Sequence, residues 1–369
     1  MNDRQALEWA ASELVELVNI RSYSHQESEF VAHLSERLGE QGWSVHPDPV
    51  EGSGPNLVVG ETSRPTLLLT AHTDTITPGW ECGAASVDGT VVRGLGAQDD
   101  KGGIVAGLLA LMLARDDGVD LGRTPVGLGL CVDEEAGGTG SLQMASAVQP
   151  EYVVALEGTG LRVATAEAGY VDSWIDVEGQ TAHHSFGRDG DNAIENAAGL
   201  IHACTQAPFT TVEHPLGAPN RVSVHAFSSP QELNVVPDRA RFFLESQFFV
   251  PTTPERVIAD LTELCGRHRA RLHVEDSVPG FETPSDAWLP RATLAATAAV
   301  LRDSRGPTYM PAWTDAHNFA TVSRAETIVF GPGHLRSAHG PGEQIDVREI
   351  VKAARVLAAV IADLARGGA

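Results

Sequence analysis

Apolar residues recur at helical spacing in Leu7, Ala10, Leu14, Leu17 and Val18, which predicts an opening helix. Phe30, Val31, Leu34 and Leu38 predict a second, and Ser24 with Glu27 reads as a capping box ahead of it. Short continuous apolar runs follow at 57–59, 67–69, 91–92, 126–132 and 152–156, with a strongly apolar helix at 101–115 between them. Runs apolar on both faces, alternating with helices, predict an α/β fold: a mostly parallel sheet with helices on both faces. From about Ala166 the pattern changes. "GYVDSWIDVEG" and "RARFFLESQFF" alternate apolar and polar, as half-buried antiparallel strands do, and 192–204 reads as a helix between them. After about Pro279 the first texture returns in a helix at 294–301, a strand at 327–330 and a closing helix at 347–364. The expectation is one α/β domain in two parts, 1–165 and 279–369, interrupted at 166–278 by a smaller α+β domain of antiparallel sheet plus helices.

Composition narrows the partners. The 369 residues are 42% hydrophobic, enough for a sizeable core, and carry a net charge of −23. That charge disfavours nucleic acid and anionic membrane surfaces, which both need basic patches, and it leaves carboxylates to spare for a metal. The first twenty residues are amphipathic and lack the basic start, apolar core and cleavage site of a signal peptide. No stretch is long and apolar enough to predict a membrane span. The four cysteines (Cys82, Cys131, Cys204, Cys265) are scattered, with no CxxC, which fits reduced, cytoplasmic thiols.

Chemistry concentrates where the apolar runs end. "TLLLTAHTDTITPG" passes from Leu67–Leu69 into His72 and Asp74. "RGLGAQDDKGG" places Asp99 and Asp100 before the apolar helix, and "DEEAGG" places Asp133, Glu134 and Glu135 after the run 126–132. Glu157 follows the next run, and "GPGHLRSAHGPGE" with His339 follows the last. In open parallel sheets, function sits beyond the carboxyl ends of the strands. A lone strand-end histidine is by default a structural residue, and an EE pair by default an exposed loop. Five strand ends bearing imidazole or carboxylate serve no core, and carboxylates crowded together repel unless a cation intervenes. Nitrogen and oxygen donors without thiolate suit zinc, cobalt or manganese in a two-metal hydrolytic site, with ions ~3.5–4 Å apart.

The motifs "AHTDT", "GAQDDKGG", "DEEAGG", "ALEGTG", "GQTAHHS", "NVVPD", "WTDA" and "GPGHLRSAHGPGE" run in order along nearly the whole chain. In this the sequence resembles the dizinc metallopeptidase group of aminoacylases, acetylornithine deacetylases, succinyl-diaminopimelate desuccinylases and glutamate carboxypeptidases. The resemblance implies two zinc ions held by His72, Asp99, Glu135, Glu157 and His339, with Asp99 bridging them. It makes Asp74 the carboxylate behind His72, Glu134 the general base, and the inserted domain a lid or dimerisation domain. His183, or its neighbour His184, would cross a dimer interface to stabilise an oxyanion in the partner's site. Asp100 is the alternative to Asp99, read here as charge at a helix N-terminus. His334 is the alternative to His339 and falls in the variable stretch. Asn234, Arg336, Gly331 and Thr314 are candidate substrate-binding residues. Asn234 is equally a turn residue, Thr314 and Asp315 equally a helix cap, and Glu343 is placed to orient the loop of His339.

One departure stands out. Where many members of that group place Asp-x-Arg after "NVVPD", this chain has Glu245 and Gln247. A neutral amide cannot pair with a substrate carboxylate as arginine does. Arg336 and Arg221 are the candidates to compensate. The leading reading is a cytoplasmic, homodimeric metal-dependent hydrolase removing the acyl group from a small N-acyl amino acid. A dipeptidase or carboxypeptidase of the same chemistry is the alternative, followed by a non-catalytic metal-binding relative. A serine or thiol hydrolase has no motif to support it.

Overall fold

The computed structural model of the protein describes residues 1–186, 191–229 and 233–369. The chain forms two compact units: Met1–Thr165 with Thr283–Met310 and Thr314–Ala369, and Ala166–Glu282 with Pro311–Trp313. Residues 279–282 and 311–313 of the second sequence segment thus belong to the smaller unit.

In the larger unit the strands lie in the order Val45–Asp48, Asn56–Val59, Val126–Cys131, Leu67–His72, Tyr152–Ala155, Glu326–Val329. The last four pair in parallel, and the first two join antiparallel. On the far side Val329 pairs antiparallel with Ala164. The run Leu67–Leu69 is apolar throughout because both faces of the sheet are covered. Leu67, Leu69 and Ala71 join the main core, with residues of helices Asp3–Val18, Lys101–Asp116, Trp288–Leu301 and Val347–Ala365. Leu68 points the other way, onto Met144, Val153 and Phe319.

Two local expectations change. The helix predicted from 294 begins at Trp288, with Pro290 in its first turn, where a missing N–H costs no hydrogen bond. The second helix, Ser28–Glu40, has Glu27 at its N-cap with no side-chain cap, so the capping box of Ser24 and Glu27 does not form. Both side chains are instead drawn to partners far along the chain.

The smaller unit is a four-stranded antiparallel sheet in the order Arg221–Ser228, Arg239–Phe248, Gly169–Glu178, Ala270–Val278. Val171, Ile175, Phe242 and Leu244 pack on residues of helices Ala193–Cys204 and Pro254–Arg267, among them Leu200 and Leu261. Alternate residues Tyr170, Asp172, Trp174 and Asp176 stay only partly buried, which is the period-two signature seen in the sequence. Among the described residues, no helix is long and apolar enough to cross a membrane.

Candidate metal centre

Parallel pairing fixes which side chains can meet. His72 lies opposite Cys131, and Thr70 opposite Ala155. The segments that follow these strands therefore emerge together: His72 to Asp74 in the middle, Asp133 to Glu135 on one flank and Glu157 on the other. Asp99 and Asp100 reach the same edge from the turn that starts helix Lys101–Asp116.

Asp99 joins the two imidazoles. Its Oδ1 is 2.9 Å from His72 Nε2 and its Oδ2 is 3.2 Å from His339 Nε2. His339 Nε2 also lies 2.8 Å from Glu135 Oε1, and His72 Nε2 lies 3.6 Å from Glu157 Oε1. Two groups of three have ligand atoms within 4.8 Å of one another: His72, Asp99 and Glu135, and His72, Asp100 and Glu157. Asp100 thus does two things. Its Oδ1 accepts from Gly103 N at the helix N-terminus, as the sequence led us to expect. Its buried carboxylate also belongs with the second group.

A second layer holds these groups in place. The far nitrogen of His72 meets the Asp74 carbonyl at 3.0 Å and its carboxylate at 3.4 Å. That carboxylate is fully buried and accepts three closer bonds: Glu134 N and Glu135 N, both at 3.0 Å, and Ser24 Oγ at 2.8 Å. One side chain therefore ties the end of strand Leu67–His72 to both glutamates. Glu27, also fully buried, accepts from Asp133 N at 3.1 Å. Glu343 accepts from Gln98 N at 3.0 Å and Asp99 N at 3.2 Å, so it orients the Asp99 turn rather than the His339 loop. Ser24, Glu27 and Gln98, whose Oε1 accepts from His334 N at 2.9 Å, were not singled out as site residues, because their partners lie tens of residues or more away.

Crowding perturbs the electrostatics of the cluster. Burial, reinforced by Asp99, pushes Glu157 up to about 8, and burial pushes Glu134 and Asp100 well above the carboxylate range. Hydrogen bonds to the carboxylates of Asp99 and Glu135 lift His339 to about 10. At His72 burial acts downward, but bonds to Asp74 and Asp99 prevail and the imidazole is raised. At Asp99 burial acts upward, but His339 and His72 prevail and the carboxyl is lowered. Carboxylates this close stay together only if positive charge sits between them. Oxygen and imidazole donors in two overlapping groups fit two divalent ions of the zinc, cobalt or manganese type.

The remaining candidates fall in different places. Thr314 is buried and its Oγ1 accepts from Ala316 N at 3.2 Å, the turn-capping alternative. Asp315 beside it is also buried, and burial pushes it up to about 6. Gly331 packs so closely that a Cβ there would stand 1.9 Å from Leu156 O. Arg336 is exposed on the loop before His339, and the His334 ring lies against Gly160. In the smaller unit His183 and His184 are exposed with ring centroids 4.5 Å apart, and His184 Nδ1 is 3.3 Å from Asn234 O. Both ends of the Gln247 amide are engaged, Oε1 by Arg221 Nε at 2.7 Å and Nε2 by Pro311 O at 2.6 Å.

Comparison with known proteins places these features in a context. A family model described as Peptidase family M20/M25/M40 matches residues 68–363. An acetylornithine deacetylase of Myxococcus xanthus is 27% identical over 287 residues, covering 74% of this chain and 72% of its own. A putative [LysW]-lysine/[LysW]-ornithine hydrolase of Pyrobaculum aerophilum is 28% identical, covering 95% and 96%. The fold is shared with the crystal structure of aminopeptidase PepT from Bacillus cereus, with a TM-score of 0.80 at 22% identity over 97% of this chain and 99% of that one.

Proposed function

The chain belongs to peptidase family M20/M25/M40 and is a metallohydrolase, and on that premise we propose that it removes the acyl group from a small N-acyl amino acid by hydrolysis at a two-zinc centre. Asp99 carries the reading, since each of its oxygens meets one of the two imidazoles. Each imidazole would serve one ion, His72 with Glu157 and His339 with Glu135, and Asp99 would serve both. Zinc supplies Lewis acidity toward the amide carbonyl and makes water more acidic when bound.

The protein's own groups do the rest. Glu134 takes a proton from the attacking water as its oxygen adds to the carbonyl carbon. It then gives that proton to the departing nitrogen as the C–N bond breaks, leaving a carboxylic acid and a free amine. Asp74 holds the backbone on both sides of this exchange, because it accepts from the amides of Glu134 and Glu135 alike. His183 stabilises the oxyanion in the partner subunit's site, and Asn234, Arg336, Gly331 and Thr314 bound the substrate. The enzyme works as a cytoplasmic homodimer. The four cysteines are free thiols, and strand Arg221–Ser228 is an edge with Val224 and Phe227 exposed.

The acyl-amino-acid reading follows the named activities of the deacetylase and hydrolase relatives. Peptide cleavage is the alternative, and a "Probable carboxypeptidase" of Aspergillus terreus, 26% identical, keeps it in view. Turnover of zinc-loaded protein on N-acyl amino acids, N-acetylornithine included, beside a dipeptide panel separates the two. Glu134→Ala should lose at least ~10²-fold in kcat while retaining its zinc. An unchanged rate in that variant rejects the role of Glu134, and zinc content without hydrolysis of any amide rejects the enzyme reading.

A further inference from the structure

Next to the metal centre, but outside it, residues 18–23 and 82–84 and the start of helix Lys101–Asp116 enclose a cavity of about 310 Å³. Its wall carries two basic side chains, Arg21 and Lys101, and three hydroxyl groups, Ser22, Tyr23 and Thr75, beside the thiol of Cys82. No carboxylate is among the described residues that line it, in a chain where acids outnumber lysines and arginines 49 to 26. Lys101 is 1% exposed, and its Nζ has one acceptor, Ile20 O at 2.7 Å, with the Phe30 ring centroid 4.6 Å away. Arg21 lies over the Tyr23 ring at 5.5 Å and forms no ion pair among the described residues. Ser22 is fully buried, and its Oγ has no hydrogen-bond partner among the described residues. Buried hydroxyls and charges are normally satisfied, so a pocket of donors with no acid among them is short of an acceptor.

We propose that this cavity binds a compact oxyanion, a phosphate or a small carboxylate, held by Arg21, Lys101 and the surrounding hydroxyls. The volume lies at the lower end of small-molecule sites and holds a compact anion with room for water beside it. Planar guanidinium and point-charge ammonium together are the usual recognition pair for such groups. The cavity also touches the metal centre through the chain. Thr75 follows Asp74 and donates its N–H to Ser22 O at 2.8 Å, and Lys101 is two residues from Asp99. Occupancy would stiffen both turns that carry those carboxylates.

Cys82 offers a local test, because it is the exposed cysteine and the other three are buried. The rate of its alkylation by neutral iodoacetamide is measured by mass spectrometry on zinc-loaded protein. Sodium phosphate, sodium acetate and sodium chloride are compared at one ionic strength. A bound oxyanion shields the thiol and disfavours its thiolate, so the rate should fall about tenfold at ten times Kd. Protection by phosphate alone assigns a phosphate group, and protection by acetate assigns a carboxylate. Arg21→Gln, an exposed position, should abolish most of the protection, and Lys101→Met should do the same. Equal rates in all three salts, as when an anion binds only at the zinc ions, overturn the proposal. So does protection of the same size in both variants.

Discussion

Replacing Asp74 by Asn exchanges one carboxylate oxygen for an NH2 group and leaves the shape unchanged. Ser24 Oγ can turn its hydroxyl and accept instead of donating, so that bond survives. The two amides cannot. Glu134 N sits on Oδ1 and Glu135 N on Oδ2, each at 3.0 Å, so whichever way the Asn lies, one N–H faces another N–H. The loss is one hydrogen bond to a charged acceptor together with a buried donor left unpaired, about 2–4 kcal/mol in all. For a unit of this size that lowers Tm by roughly 5–15 °C. A shift of the Glu134–Glu135 turn by about 1 Å costs about 10²-fold in rate if the base must be placed closely. The assay pairs Tm of chelated protein, which removes the contribution of bound ions, with kcat of zinc-loaded protein on the best substrate of the panel. Ser24→Ala is the control. It removes one bond to the charged Asp74, about 1.5–3 kcal/mol, and leaves both amides satisfied, so its kcat should stay within about threefold of wild type. An Asp74→Asn protein with wild-type Tm and kcat would refute the idea that this carboxylate places the two glutamates.

Four further outcomes follow from the same structure. Arg37 grips Glu13, 1% exposed, through Nε at 2.8 Å and Nη2 at 2.7 Å, so Arg37→Met should cost about 3–5 kcal/mol by stranding a buried charge, and adding Glu13→Leu should recover most of it in thermal unfolding. Gly331→Ala drives a methyl into Leu156 O, and should lower stability by at least about 3 kcal/mol together with activity, read by circular dichroism and turnover. Removing zinc with a chelator should abolish hydrolysis and lower Tm, with re-addition at about 1,000 times Kd restoring about 4 kcal/mol. Asp172 is pushed up to about 6 by burial, with Glu245 and Asp276 adding to it. A carboxyl raised in the folded state is no burden while protonated, and its cost grows from the ordinary carboxylate range to about 6 and is constant above. Asp172→Asn should therefore raise Tm at pH 7.5 and leave it unchanged near pH 4.

The primary sequence alone determined a good deal here. Continuous apolar runs such as Leu67–Leu69 cannot face water on either side, so they predict a sheet covered on both faces, and the change to period two after Ala166 predicts a half-covered one. The residues that follow each run were legible as candidate ligands for the same reason: a strand end is where a buried segment can afford His72, Asp99, Glu135, Glu157 or His339. What only the tertiary structure decided was who touches whom. Ser24 with Glu27 had the spacing of a capping box, yet the stronger call on them comes from Asp74 and from Asp133, fifty or more residues away. Asp100 had the look of a helix-end charge and is one, but its carboxylate is also grouped with His72 and Glu157. Hydrophobic periodicity is a local property and survives in one dimension. A hydrogen bond depends on distance and angle in three, and a buried polar group takes whichever partner the packed backbone brings within reach.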